Sequence, residues 1–171
     1  IVDLDSDANG AAADDITAAG ALLMAGGAIG GGSNHLEVAV ATLSANAGAG
    51  GLFITERDGL TVDTLAVQVH RVASDATATV TATAEQDDLE TTAGGALVLV
   101  STAGDLVVAD DVTAAGAGAV LLQAAGAITL HNAVDAGSGA LSVRAGGSLT
   151  QALAIGSTGA ATIDVQAGGA I

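Results

Sequence analysis

With 171 residues and a formal net charge of −16, the chain has the length of one domain and the charge of a strongly acidic surface. It holds 41 Ala, 25 Gly, three Arg and one Phe, and no Lys, Cys, Pro, Trp or Tyr. That excludes a disulfide framework, a thiolate zinc site and a thiol nucleophile within it, and leaves too few cations to neutralise the phosphates of nucleic acid. Half the residues are apolar and mean hydropathy is +0.61, unlike a disordered chain. Almost without aromatics, the core must come from Val, Leu, Ile and Ala, which favours thin, closely spaced layers over a round core.

The first feature in chain order is Asp3-Leu4-Asp5-Ser6-Asp7-Ala8-Asn9-Gly10. Alternating carboxylates on an extended loop can set several hard oxygens around one Ca²⁺. Asp5 to Gly10 matches the first half of an EF-hand loop, but the twelfth position is Ile16 rather than Glu. Asp3, Asp5, Asp7 and Asn9 are therefore candidate calcium ligands, and a plain solvated acidic loop is the competing reading. No other cofactor is expected. Ala13-Asp14-Asp15-Ile16-Thr17-Ala18-Ala19-Gly20 nearly duplicates Ala109-Asp110-Asp111-Val112-Thr113-Ala114-Ala115-Gly116. Because the Asp pair recurs without the Asp-x-Asp run, it reads as a corner or surface feature.

Next, Met24-Ala25-Gly26-Gly27-Ala28-Ile29 matches the corner from Gln166 to Ile171, and Leu36-Glu37-Val38-Ala39-Val40 alternates with period two, the strand signal. Leu65-Ala66-Val67-Gln68-Val69 alternates in the same way and reads as another strand of the same pattern. Thr77, Thr79, Thr81 and Thr83 place four hydroxyls on one strand face; a single such row predicts an exposed β-prone strand. Glu85-Gln86-Asp87-Asp88-Leu89-Glu90 reads as a solvated loop.

The C-terminal half repeats itself openly. Gly95-Ala96-Leu97-Val98-Leu99, Gly118-Ala119-Val120-Leu121-Leu122, Gly139-Ala140-Leu141-Ser142-Val143 and Gly159-Ala160-Ala161-Thr162-Ile163 each lead to an Ala-Gly corner, at Gly104, Gly126, Gly146 and Gly168. A period of roughly 21 residues built from short alternating runs is about one turn of a parallel β-solenoid. Gly at the corners and Val, Ile and Thr between them argue against a helical repeat. The absence of Pro suits a chain whose backbone N–H groups are needed for pairing. Expected inward pairs are Leu97/Leu99, Leu106/Val108, Val120/Leu122, Ile128/Leu130, Leu141/Val143 and Ile163/Val165. With no linker or shift in composition, residues 1–171 read as one continuous all-β solenoid of roughly seven or eight coils.

Gly50-Gly51-Leu52-Phe53-Ile54-Thr55-Glu56-Arg57-Asp58-Gly59-Leu60-Thr61-Val62, with the recurring Ala-Gly-Gly-x-Leu/Ile corners, resembles the repeats of filamentous-haemagglutinin-type surface proteins. The resemblance is to a repeat style and covers most of the chain. It implies a right-handed parallel β-helix, a secreted, cell-surface location, and a stalk or adhesive-fibre role. Ile171 read on into Ile1 continues the repeat without a polar cap. The expectation is thus a fibre or adhesin-stalk segment, cut from a longer chain, repeated in tandem, or stacked head to tail on itself. The alternative is a Ca²⁺-dependent module binding glycans or another surface.

Other chemistry finds little support. His35, His70 and His131 are isolated and lack ligand spacing, so surface or strand-edge positions are expected. Clustered acids on a β-helix raise a polysaccharide-acting enzyme, but Arg57, Arg71 and Arg144 are scattered and no aromatic is free to stack on sugar. No catalytic residues are expected. The uncharged stretch Val112 to Leu130 lacks basic anchors and belongs to the repeat, so membrane insertion is not expected.

Overall fold

The computed structural model describes residues 1–3, 13–158 and 161–171. In chain order its strands are β1 (Ile16–Ala25), β2 (Leu36–Ala47), β3 (Leu52–Glu56), β4 (Leu60–Val62), β5 (Gln68–Val72), β6 (Ala78–Ala82), β7 (Leu89–Thr91), β8 (Leu97–Ser101), β9 (Leu106–Val108), β10 (Val112–Ala114), β11 (Val120–Ala124), β12 (Ile128–Leu130), β13 (Val134–Asp135), β14 (Leu141–Ala145), β15 (Leu149–Gln151), β16 (Ile155–Gly156) and β17 (Ile163–Ala167). No helix occurs among the described residues. The strands stack as a parallel β-solenoid of about 7 turns, with equivalent positions roughly 22 residues apart.

Each coil has three sides, and each side is one stack of strands. On the first, β3, β8, β11, β14 and β17 pair in parallel. Their register puts Leu52, Leu97, Val120, Leu141 and Ile163 in one column and Ile54, Leu99, Leu122, Val143 and Val165 in the next. On the second side, β4, β9, β12 and β15 align Leu60, Leu106, Ile128 and Leu149. On the third, β7, β10, β13 and β16 align Leu89, Val112, Val134 and Ile155. The long strand β2 runs along all three sides, pairing β3, β4 and β7 in turn, and β1 covers β2.

Period-two alternation explains these elements. In β8 and β11 the burial alternates strictly, so every second side chain turns into the lumen and meets its equivalent one coil away. Leu97, Leu99, Leu106, Leu122, Ile128 and Leu130 are completely buried. Burial of each such side chain contributes about 1.5–3 kcal/mol before chain entropy is set against it. Where the sides converge, the inward column shrinks to Ser101, Ala124, Ala145 and Ala167. The corners need glycine for two distinct reasons. Gly59 turns with φ at +112°, and a Cβ at Gly146 would collide with the Ala125 carbonyl oxygen of the preceding coil.

Two segments depart from the regular coil. Between β4 and β7 the chain leaves the solenoid as an antiparallel hairpin, β5–β6, whose ten strand residues are all exposed. Alternation in Leu65–Val69 does mark strand structure, but Gln68 and Val69 belong to this ribbon rather than to a coil side. A period of two is common to parallel and antiparallel strands, so it does not name the partner. The second departure lies between Ile29 and Leu36. Ile29 bridges to Leu52 and Leu36 pairs with Ile54, so Gly30 to His35 occupy the place held in the next coil by Phe53 alone. This extra loop closes with reciprocal Gly31–Asn34 backbone hydrogen bonds of 2.7 and 3.0 Å. Phe53, the single phenylalanine of the sequence, faces outward beneath it rather than into the core.

Candidate functional site

The extra loop leads into β2 and lies against Phe53, the outward side chain of β3. Outward positions on other coils are half-exposed, but here His35, Glu37 and Thr55 are buried. His35 packs its ring 6.0 Å from that of Phe53 and sets Nδ1 2.8 Å from the Thr55 hydroxyl. Burial holds the His35 pKa below the ordinary value of 6.5, so the neutral ring is favoured. Among the histidines expected at the surface, His70 and His131 are exposed, whereas His35 is enclosed by the loop.

Glu37 stands in register with Thr55, and the segment entering β1 lies against its other side. Asp15 N–H donates to the Glu37 carbonyl at 2.8 Å, and Glu37 N–H donates to Asp15 Oδ2 at 3.1 Å. At the chain's start, Ile1 docks on the same coil: its amino group donates to the Ala28 carbonyl at 2.7 Å, and Gly30 N–H donates to the Ile1 carbonyl at 3.1 Å. That docking carries Asp3 over the loop, where its carbonyl accepts from Asn34 Nδ2 at 3.4 Å. Carboxylate oxygens of Asp3, Asp15 and Glu37 consequently lie within 4.8 Å of one another. Asp3 and Glu37 are buried, and Asp15 is exposed. Beside the group, Arg57 pairs with Asp14 and approaches Asp58 at 3.9 Å.

Three carboxylates at this spacing repel, more strongly where solvent is excluded. A hard cation relieves that repulsion, and an all-oxygen donor set suits Ca²⁺ or Mg²⁺ over softer metals. Of the four calcium ligands expected from sequence, Asp3 takes part in this cluster, and Asp5, Asp7 and Asn9 lie outside the described residues. Asp15, read as a corner residue, joins Asp3. Glu37 was missed, because a charged residue at an outward strand position looks the same whether solvent or another coil covers it.

Two further carboxyl groups are enclosed. Glu56 ends β3 with its side chain turned inward and fully buried, next to Ser101 in the corner column. Its Oε2 accepts from the backbone N–H groups of Asp58, at 2.9 Å, and Gly59; among the described residues Oε1 has no hydrogen-bond partner. Burial raises the Glu56 pKa, and those two N–H groups act against the shift. Where the hairpin rejoins the coil, burial raises the pKa of Asp88, helped by the charges of Glu90 and Asp87. The run Glu85–Glu90 is thus partly packed: Asn46 Nδ2 donates to Glu90 Oε2 at 2.6 Å, and Gln86 Nε2 donates to Asp88 Oδ1.

No protein-family model, curated protein or solved structure matches the chain. No helix is long and apolar enough to cross a membrane among the described residues.

Proposed function

We propose that this chain is a structural segment of an extracellular fibre or adhesin stalk, whose work is to supply length and continue end to end. The observation that carries the reading is the unbroken register of the columns. Leu52, Leu97, Val120 and Leu141 follow one another in parallel register and are at most 2% exposed. Each coil finishes its core only on the next, which pairs its strand edges and closes its apolar columns. A further coil, from the same chain or from a second copy, covers both. A head-to-tail contact of this kind propagates instead of closing.

Net charge opposes such stacking between copies, so salt should promote it. The test is sedimentation and negative-stain imaging of the chain at low and high salt, beside Ile163→Lys. The expected result is salt-promoted elongation that the lysine blocks. A chain that stays monomeric in both salts would eliminate stacking between copies and leave covalent continuity as the route to length.

A second reading, a calcium-dependent adhesion module, is favoured by the Asp3–Asp15–Glu37 cluster. Under it, Ca²⁺ joins the chain's start to β2 and stiffens the first coils. Millimolar CaCl₂ should then raise the thermal midpoint, by about 2.7 kcal/mol of stability at a hundredfold excess over the dissociation constant. Glu37→Gln should remove that gain. An equal gain from NaCl at matched ionic strength would assign the effect to screening instead.

A further inference from the structure

We propose that the outer edge of β6 is an association surface for a second copy of the chain, pairing antiparallel with the partner's β6 about a two-fold axis near Val80. The hairpin is incomplete as it stands. Both faces of β5 and β6 are exposed, and a lone two-stranded ribbon is marginal in water without a further strand or a covering layer.

The hydrogen bonds show which groups are open. Ala73 N–H donates to the Thr77 carbonyl and Thr83 N–H to the Val67 carbonyl, each at 2.9 Å. By antiparallel alternation, Thr79 and Thr81 turn their backbone groups toward β5, and Ala78, Val80 and Ala82 turn theirs to the outer edge. That edge carries none of the usual devices against pairing: from Thr77 to Thr83 there is no charge and no proline. The β5 edge is different, with His70 and Arg71 in its five residues.

Charge argues for a second copy, and for an antiparallel one. From Thr64 to Ala84 the only charged residues are Arg71 and Asp75, so the ribbon is neutral and the chain's net −16 resides elsewhere. The ribbon is therefore a surface on which two such acidic chains can meet without direct repulsion. Antiparallel pairing also sets the two solenoids at opposite ends of the joint sheet, roughly 20 Å apart for a strand of this length. The Debye length is about 10 Å at 0.1 M and shrinks further at higher salt, so their residual repulsion fades as salt is added. Parallel pairing would bring the solenoids side by side. In the antiparallel sheet, Ala78, Val80 and Ala82 of the two copies meet on one face, flanked by Val72, His70 and Gln68 of β5, and the threonines of the two β6 strands meet on the other.

This contact is lateral and closes at two copies, so it is separable from end-to-end stacking. The test is sedimentation equilibrium of the chain carrying Ile163→Lys, which suppresses axial growth, at 50 mM and 500 mM NaCl. We expect a monomer–dimer equilibrium whose dissociation constant falls at least about tenfold at the higher salt. Val80→Pro should abolish the dimer while retaining the ribbon, because the N–H it removes points away from β5. Amide exchange at Ala73 and Thr83 reports whether the ribbon survives. Val80→Lys, which removes no hydrogen bond, should weaken the dimer in the same sense. A monomer at both salts overturns the proposal, as does a dimer indifferent to both substitutions. Loss of the dimer with His70→Pro but not Val80→Pro would move the contact to β5 and overturn the assignment to β6.

Discussion

Glu56 and His35 show what a single position in this coil demands. Both are enclosed, one by the core and one by the extra loop. Burial disfavours the charged form of each, so their effects on stability run in opposite directions with pH. Glu56 has a folded-state pKa above its ordinary 4.5. Its contribution is fully present below that value and is lost as pH rises through the raised pKa. His35 has a folded-state pKa below 6.5, so its contribution is present above 6.5 and is lost as pH falls through the lowered value. Thermal midpoints measured from pH 4 to 8 should therefore lose part of their decline toward high pH in Glu56→Gln. In His35→Asn they should lose part of their decline toward low pH. Parallel profiles for wild type and both variants would show that neither group is buried as described.

At the scale of the element, the unit of stability is the column rather than the strand. Leu99 lies between Ile54 and Leu122 with no exposed surface. Leu99→Ala should cost about 2–5 kcal/mol, because the neighbouring coils hold the cavity open. Leu99→Asp should cost more and prevent cooperative folding, since nothing in the column pairs with a carboxylate. Circular dichroism melts of the two variants measure the difference, and native-like melting of the aspartate form would reverse the inward assignment. The hairpin is an element of another kind. Its strands contact each other and leave both faces exposed, so its loss should leave the columns intact.

For the whole molecule, nearest-neighbour stacking predicts a gradient of stability. Amides of β8 and β11 lie between coils, while β17 has a neighbour on one side and half-exposed core positions. Native-state hydrogen exchange should be slowest in β8 and β11 and markedly faster in β17. A partner coil or a filament contact should bring β17 to the protection of the middle. Uniform exchange along the rod would mean that the coils unfold as one unit.

Much of this architecture was legible in the residues themselves. Leu97/Leu99, Leu106/Val108, Val120/Leu122, Ile128/Leu130 and Leu141/Val143 all turn inward as expected, because alternation between glycine corners carries both the period and the side. Ile163 and Val165 are less covered, because β17 has a neighbour on one side. The shortage of aromatics also had a direct structural meaning: only closely spaced columns of Leu, Ile, Val and Ala fill so thin a lumen. The tertiary structure decided which segments meet. Leu65–Val69 alternates like a coil strand, yet its last two residues, Gln68 and Val69, begin β5, which pairs with β6 outside the solenoid. Glu37 falls at an outward position of the alternating run Leu36–Val40, yet it is buried, with its carboxylate within 4.8 Å of those of Asp3 and Asp15. Periodicity is a local property of a strand, whereas register and coverage depend on residues twenty or more positions away, so only the folded chain resolves them.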